Sequence, residues 1–529
     1  MPYWLRRLSF LPALLGILIL AGCERATEQA AENTLTVLAG SELKDVEPLL
    51  PQLEAATGVR LKFEYSGTLD GVERLQGEES FDTAWFSHAK YLMLEPKARA
   101  RVRASEKIML SPVAVGVKAD RFKALGWERQ PDLGWKEIAR AAEAGRFRFA
   151  MTNPTSSNSG FSALMGVAAA FSGKADALTE ADVERLDLSG LFKGHQLTAG
   201  SSGWLAEAYA EGNAPLDGMI NYESVLLAHN ATPGAVPMRI VYPKDGILTA
   251  DYPLLLLDEQ KRAAYEKVVA WLKGETAQTW LMRETRRRPV NPAVAADRTL
   301  FPEVLLGELS FPARIEVIDR LLLSYLGRQR RPSHAFFVLD ISGSMEGERL
   351  NGLRAALIGL AGGDATLTGR FARFQNRERI TLIPFSSRVE HDLVLAADMG
   401  DSPQSNERTL ARLRDHAQAL HTRGGTALYD AIVEAYRQTE VAMRDNPDRY
   451  YTIVAMTDGQ SNEGMSLEKF RTLHAGLPES LRQVRVFTVL FGNGNAEELT
   501  ALAELTGGRM FDSRKIGLSS MFKAIRGYQ

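Results

Sequence analysis

Residues 334–529 alternate short apolar runs with amphipathic stretches, and this alternation restricts the fold more than any other feature of the chain. The apolar runs lie at residues 335–339, 380–385, 451–456 and 484–491. Patterns with helical spacing lie at residues 349–360, 410–420, 427–443, 467–477 and 496–505. Continuous apolar runs are typical of strands buried on both faces. Their alternation with helices therefore predicts an α/β unit built on a doubly wound parallel sheet.

Oxygen-bearing side chains gather at the ends of these predicted elements. Asp340, Ser342 and Ser344 follow the first apolar run at alternate positions, Thr426 precedes a helical pattern, and Asp458 follows the third run. Such side chains can converge on a hard cation such as Mg²⁺, which prefers oxygen ligands. The same residue types also cap helices. Capping alone would leave the joint occurrence of the three segments unexplained.

In their order and spacing these segments resemble the von Willebrand factor type A domain, over roughly residues 333–529. The resemblance implies a metal-ion-dependent adhesion site formed by Asp340, Ser342, Ser344, Thr426 and Asp458. It implies Mg²⁺ or another divalent cation as cofactor, with one coordination position open for an acidic residue of a protein partner. Residues 361–376 look longer than the usual link in that family, and we expect a solvated insertion there or, as the alternative, a partner contact.

The amino terminus has the layout of a secretory signal. Two arginines precede the apolar run 8–20, which is too short to span a bilayer comfortably. The sequence that ends at Cys23 resembles a bacterial lipobox, and Cys23 is the sole cysteine of the chain. We therefore expect a signal peptide over residues 1–22, a lipid-modified Cys23 and a polar tether over residues 23–34. Glu24 stands where Asp would favour the inner membrane, so outer-membrane anchoring facing the periplasm is mildly preferred.

Composition narrows the classes of function. The chain has 529 residues, 45% of them apolar and 24% charged, with a net charge of -2. This length gives room for two or three domains. No global basic excess points to nucleic acid. No later apolar run is long enough to cross a membrane, so the lipid would be the membrane attachment.

A second unit is predicted over residues 35–307. A strand at residues 35–39, a helix at 46–57 and a strand at 60–65 form a βαβ opening. Together with the Ser- and Thr-rich segment 151–160 ahead of an apolar helix, this pattern resembles the two-lobed extracellular solute-binding proteins of the type II class. Segments 220–224, 250–253 and 288–292 are also similar to that family.

Candidate ligand contacts lie where hydroxyl groups precede the apolar helix. Hydroxyls and backbone N–H groups at a helix start favour anions, which makes Thr155, Ser156 and Ser157 candidates. Ser41 would face them from the first lobe, and Tyr222 and Asp251 would close the cleft. The same Ser and Thr residues would equally serve as caps of the helix. We expect Arg286, Arg287 and Arg288 to form a solvated basic face.

Residues 308–333 are predicted to connect the two units by a helix at 313–326 and a short hinge at 327–333. The common nucleophile-elbow, zinc-protease and phosphate-loop motifs are absent from the sequence, so no enzymatic activity is expected. Two functions remain. The first is a lipid-anchored envelope protein that binds a protein partner through the metal, with the solute-binding-like unit as a second recognition surface. The alternative is a receptor that captures a small solute for a transporter or sensor.

Overall fold

Three β-sheets organise the protein in its computed structural model, which describes residues 33–212, 215–302, 306–459, 461–492, 494–514 and 518–528. The predicted signal peptide, Cys23 and nearly all of the predicted tether lie outside the described residues. Among the described helices, none combines the length and apolar character needed to cross a membrane.

The N-terminal unit has two lobes, each built on one sheet. Its strands, numbered in chain order, are β1 (Thr34–Gly40), β2 (Arg60–Ser66), β3 (Thr83–Trp85), β4 (Ala104–Lys107), β5 (Met109–Lys118), β6 (Phe149–Thr152), β7 (His195–Ala199), β8 (Gly218–Tyr222), β9 (Met238–Val241), β10 (Thr249–Ala250), β11 (Pro253–Leu256) and β12 (Arg288–Pro289). The first lobe has the order β2-β1-β3-β11-β4. The second has the order β10-β5-β8-β6-β7, with β9 and β12 also paired to β5. The chain therefore enters the second lobe after β4 and returns to the first lobe at β11.

The predicted βαβ opening is present. Strands β1 and β2 pair in parallel, and β1 also pairs in parallel with β3. The longer helices of the N-terminal unit are Leu50–Thr57, Thr68–Gln76, Trp135–Glu143, Asn158–Ser172, Ser202–Ala210, Glu223–Ala231, Arg262–Leu272 and Glu275–Glu284. Shorter helices are Lys90–Leu94, Pro96–Arg99, Ala119–Ala124, Glu180–Arg185 and Ser189–Lys193, with 3₁₀ turns at Ser41–Leu49, Trp127–Arg129 and Glu259–Lys261.

The connecting helix runs over Ile315–Ser324, and its apolar side packs into the core of the N-terminal unit. The segment that follows is held in place, contrary to the predicted hinge. Gln329 is buried, and its side chain accepts a hydrogen bond from Leu188 N (2.7 Å) and donates one to Leu186 O (2.9 Å). Arg330 is also buried. The predicted hinge is packed against both units, because Gln329 bonds backbone groups of the N-terminal unit and Arg330 pairs with Glu378 of the C-terminal unit.

The C-terminal unit is the predicted doubly wound sheet. Its strands are β13 (Ser333–Asp340), β14 (Arg379–Phe385), β15 (Leu395–Asp398), β16 (Tyr450–Thr457), β17 (Arg485–Leu490) and β18 (Met510–Asp512), in the order β15-β14-β13-β16-β17-β18. All neighbours are parallel except β14 and β15. Its helices are Glu348–Ile358, Leu367–Ala372, Pro403–Ala419, Leu428–Asp445, Leu467–Ala475, Glu479–Arg482, Ala496–Leu505 and Leu518–Arg526, with 3₁₀ turns at Gly343–Met345 and His391–Leu393.

Side chains of β13 pack on both sides of this sheet. Phe336 belongs to one apolar cluster and Phe337 to the other, as expected for a parallel sheet covered on both faces. The cluster around Phe337 continues into the second lobe, where it includes Leu205 and Tyr209. Tyr528 near the C-terminus belongs to the same cluster. The two units therefore share one continuous apolar core.

The long link at residues 361–376 is part of this contact. It contains the helix Leu367–Ala372, in which Phe371 is buried. Thr368 donates from its backbone N and its hydroxyl to Glu73 Oε2, each at 2.7 Å. The expectation of a solvated insertion was wrong, because the link packs on the first lobe of the same chain.

Candidate metal centre and ligand cleft

The two candidate metal-binding carboxylates lie at one edge of the third sheet. Asp340 is the last residue of β13, and Asp458 follows β16, which is its parallel neighbour. The carboxyl ends of parallel neighbours meet at the same sheet edge. Backbone hydrogen bonds join the surrounding loops: Gly343 N donates to Gly424 O (3.0 Å), and Arg423 N donates to Ile341 O (2.7 Å).

Asp340 is fully buried, and each of its carboxylate oxygens accepts a hydrogen bond. Its Oδ1 accepts from Ser342 N (2.8 Å), and its Oδ2 accepts from the Thr457 hydroxyl (2.6 Å). The hydroxyls of Ser342 and Ser344 lie 3.0 Å apart. Burial raises the pKa of Asp340 to about 6, and the nearby charge of Asp458 adds to the rise. An added cation at this edge would offset both effects.

Asp458 has a carboxylate oxygen left open. Arg349 donates to its Oδ2 at 2.8 Å, but its Oδ1 is buried and has no hydrogen-bond partner among the residues that the structure describes. Burying a carboxylate oxygen without a partner costs desolvation free energy unless another group binds to it. Within the described ranges, no three His, Cys, Asp or Glu side chains cluster as a metal site. A cation here would therefore need hydroxyl and water oxygens beside the two carboxylates, and the residues present fit that requirement.

Thr426 is held at the same edge by the loop that follows β16. Its backbone N donates to Asn462 Oδ1 (2.9 Å), and its carbonyl accepts from Asn462 N and Glu463 N at 3.1 Å each. Next to it, Ala427 N donates to Ser386 O (2.8 Å). Four loops thus converge on the predicted site.

Sequence reasoning missed three residues of this arrangement. Thr457 orients Asp340, Arg349 neutralises one oxygen of Asp458, and Asn462 fixes the backbone of Thr426. Thr457 stands beside Asp458 in the sequence and could have been suspected for that reason. Arg349 and Asn462 carried no sequence signal, because their roles depend on how the loops fold.

The predicted ligand residues separate into two groups. Ser41, Thr155, Ser156 and Ser157 line a cavity of about 830 Å³ between the lobes. Ser157 precedes the helix Asn158–Ser172 but makes no side-chain capping hydrogen bond, whereas the hydroxyl of Thr155 donates to Asn153 Oδ1 (2.9 Å).

Tyr222 and Asp251 do not reach this cavity. Tyr222 is fully buried, and its hydroxyl donates to Ser87 Oγ (2.8 Å). Asp251 forms an ion pair with Lys107 at 3.2 Å. The expectation that these two residues close the cleft around the hydroxyls does not match the geometry, because both are engaged near the crossing between the lobes.

Arg287, expected in a solvated basic face, is instead buried beside Glu42. Arg287 is 1% exposed, donates to Asp45 Oδ2 at 2.7 Å and lies over the ring of Tyr252. Glu42 lines the cavity next to Ser41, and burial raises the pKa of its carboxyl. In the described part of the chain, its Oε1 has no hydrogen-bond partner. In its ionised form this carboxyl disfavours an anionic solute beside it, against the anion preference inferred from the helix start.

Comparison with known proteins identifies both units. Residues 35–284 match the family model described as bacterial extracellular solute-binding protein, and residues 336–524 match that of the von Willebrand factor type A domain. An inter-alpha-trypsin inhibitor heavy chain of Sus scrofa is 29% identical over 136 residues, which is 25% of this chain and 13% of that protein. An uncharacterized protein of Synechocystis sp. is 26% identical over 183 residues, or 34% of this chain and 38% of that protein. The matches thus span well under half of either relative.

Solved structures similar to this chain include periplasmic binding proteins. One is AfuA from Actinobacillus pleuropneumoniae with fructose-6-phosphate bound, at 16% identity and a TM-score of 0.43, covering 55% of this chain and 97% of that one. Another is the sulfate-binding protein SubI from Mycobacterium tuberculosis, at 21% identity and a TM-score of 0.39, covering 53% and 93% respectively.

Proposed function

We propose that this protein, which joins a bacterial extracellular solute-binding domain to a von Willebrand factor type A domain, binds a protein partner through a divalent cation. The open Oδ1 of Asp458 is the observation that carries the proposal. It is a buried anionic ligand atom to which no described residue donates a hydrogen bond. A cation at the adjoining sheet edge would complete it and would lower the cost of ionising Asp340 nearby.

In this proposal Asp340 and Asp458 supply the two negative charges that neutralise a dication such as Mg²⁺. The hydroxyls of Ser342, Ser344 and Thr426 supply neutral oxygen ligands, with water at further positions. When bound, the cation offers one coordination position to a carboxylate from outside. Ser344 is exposed, whereas Asp340 is buried. An outside carboxylate would therefore reach the site from the side of Ser344, in the loop that follows β13.

We further propose that the protein faces the periplasm of a bacterial cell envelope, anchored by lipid on Cys23, with the outer membrane mildly preferred. The lipobox-like sequence and the extracellular solute-binding family support this location. The protein acts by binding and has no enzymatic activity in this proposal.

Capture of partners from solubilised envelope tests the metal-dependent function. The bait is compared as wild type in Mg²⁺, wild type in EDTA, and Asp340→Ala. Asp398→Ala is the matched control, since that carboxylate is on the same sheet but its side chain is 63% exposed. A partner retained by the Mg²⁺-loaded wild type and the control alone would support the proposal. Retention in EDTA or by Asp340→Ala would contradict it.

The second candidate function, solute reception, is favoured by the cavity between the lobes and its hydroxyl lining. Because Glu42 faces this cavity, we propose neutral or cationic polar solutes as the class. A specific solute would raise the unfolding temperature by mass action. A thermal-shift screen in which neutral sugars and small amines fail, or in which only anions succeed, would contradict this assignment.

A further inference from the structure

The two lobes touch at the rim of the cavity. Gly67 of the first lobe lies against Ser156 of the second, so closely that a Cβ on Gly67 would stand 2.4 Å from the Ser156 carbonyl oxygen. The same cavity is lined by residues of the C-terminal unit, among them Phe371 and Tyr528. The C-terminal segment, defined as residues 523–528, therefore lies beside the contact between the lobes.

The C-terminal segment is bonded to the first lobe through Lys523. Its Nζ donates to Glu73 Oε1 at 2.9 Å and lies 3.4 Å from Asp364 Oδ2 within its own unit. The side chain of Lys523 is only 12% exposed. Thr368 donates twice to the other oxygen of Glu73. Glu73 therefore receives hydrogen bonds from two separate elements of the C-terminal unit.

The same segment is bonded to the second lobe. Asn153 Nδ2 donates to Arg526 O at 3.2 Å, and Tyr528 meets the ring of Trp204 edge to face at a centroid distance of 4.7 Å. A Cβ on Gly527 would lie 2.7 Å from Ser156 Oγ. Glycine allows this approach, because a larger residue would have to displace the Ser156 side chain.

A buried ion-pair triad fixes the segment within its own unit. Glu378 is 2% exposed and accepts from Arg526 at 2.7 Å and 2.8 Å. Arg330 of the connecting segment binds the same carboxylate. Movement of the C-terminal segment is therefore coupled to the C-terminal unit as a whole.

We propose that the C-terminal segment holds the two lobes together at the cavity rim, and that the lobes separate only when this segment is released. Separation of Gly67 from Ser156 would have to break the bonds of Lys523 and Thr368 to Glu73, or else the contacts at Asn153 and Trp204. Contacts within the chain thus hold the two lobes together at this rim. This inference does not depend on the proposed metal site.

Hydrogen exchange of the full chain tests the proposal. Lys523→Ala removes the contact to the first lobe, and we expect amide exchange in peptides covering residues 67–76 and 153–158 to become about tenfold faster. Lys273→Ala is the matched control, because Lys273 makes an ion pair of 2.9 Å with Glu106 elsewhere in the N-terminal unit. Unchanged exchange in the Lys523 variant, or equal acceleration in the control, would overturn the proposal.

A disulfide provides a second, independent test. In a Cys23→Ser background, Ser156→Cys and Gly527→Cys introduce the only two thiols. A Cβ on Gly527 would lie 3.1 Å from Ser156 Cβ, below the separation of about 3.5–4.5 Å in disulfides, so the bond needs a small outward shift of the segment. We expect oxidation of the folded variant to form the bond and to slow amide exchange in residues 153–158, because the bond fixes the segment to the second lobe; reduction should reverse this. Failure to form the bond, or a bond without effect on exchange, would overturn the proposal.

Discussion

Replacing Asp340 by Asn should stabilise the metal-free protein near neutral pH and abolish its response to Mg²⁺. Asp340 is buried beside a second carboxylate, and burial raises its pKa to about 6 from a usual value of 3.8. The folded protein therefore holds this proton more tightly than the unfolded chain. The stability contributed by Asp340 is fully present below about pH 4 and is lost as the pH rises through about 6.

The structure sets the size of the effect. A pKa that is higher by about two corresponds to a free-energy cost of about 3 kcal/mol for ionising Asp340 in the folded protein. Asn keeps an acceptor for Ser342 N and carries no charge. We expect Asp340→Asn to raise the free energy of unfolding by about 1–3 kcal/mol in EDTA near pH 7. This gain should shrink as the wild type becomes protonated at lower pH, and it should vanish by about pH 4.

Urea unfolding in EDTA and in Mg²⁺, repeated from about pH 4 to 7, measures both effects. Wild type should be stabilised by Mg²⁺ through mass action, whereas Asp340→Asn should not respond. Asp398→Asn, an exposed carboxylate on the same sheet, should change stability by no more than about 0.5 kcal/mol. The reasoning would be refuted if Asp340→Asn were less stable than wild type in EDTA near pH 7. It would also be refuted if Mg²⁺ stabilised the variant as much as it stabilises wild type.

Three further substitutions test the site and its support. Arg349→Gln should tighten Mg²⁺ binding several-fold in calorimetry, because the guanidinium competes for Asp458; unchanged or weaker binding would contradict this. Glu378→Gln should lower the free energy of unfolding in urea by about 3–5 kcal/mol, because it removes the negative charge between the buried Arg330 and Arg526. A loss below about 1 kcal/mol would refute this prediction. Gly494→Ala should abolish Mg²⁺-dependent stabilisation, because its Cβ would stand 1.2 Å from the Asp458 carbonyl oxygen. Gly203→Ala is the control, since a Cβ there meets none of the described atoms within 4 Å.

The sheet of the C-terminal unit was predictable because its strands are continuous apolar runs of buried sheet. Residues 335–339 were predicted for β13, and the structure extends that strand to Ser333–Asp340. The positions of Asp340 and Asp458 at one edge followed from the parallel order alone. Whether the five predicted residues hold a cation stays a prediction.

Contacts between distant parts of the chain were not predictable. Arg287 looked solvated in a run of three arginines, but its burial depends on Asp45, which is far away in sequence. The link at residues 361–376 was expected to be a solvated insertion because it looked longer than the usual link of the family. Its neighbour is Glu73 of the first lobe. Local patterns specify strands and helices, whereas partners across the fold depend on how the three sheets assemble.

The apolar cluster shared by the second lobe and the C-terminal unit has a consequence for how such proteins diverge. Tyr528 packs on Trp204, and Tyr209 and Phe337 belong to the same cluster. A change of volume on one side leaves a void or a clash on the other. Substitutions at Trp204 and Tyr528 should therefore be inherited as compensating pairs, and neither unit can be exchanged for a foreign one unless the opposite face changes with it.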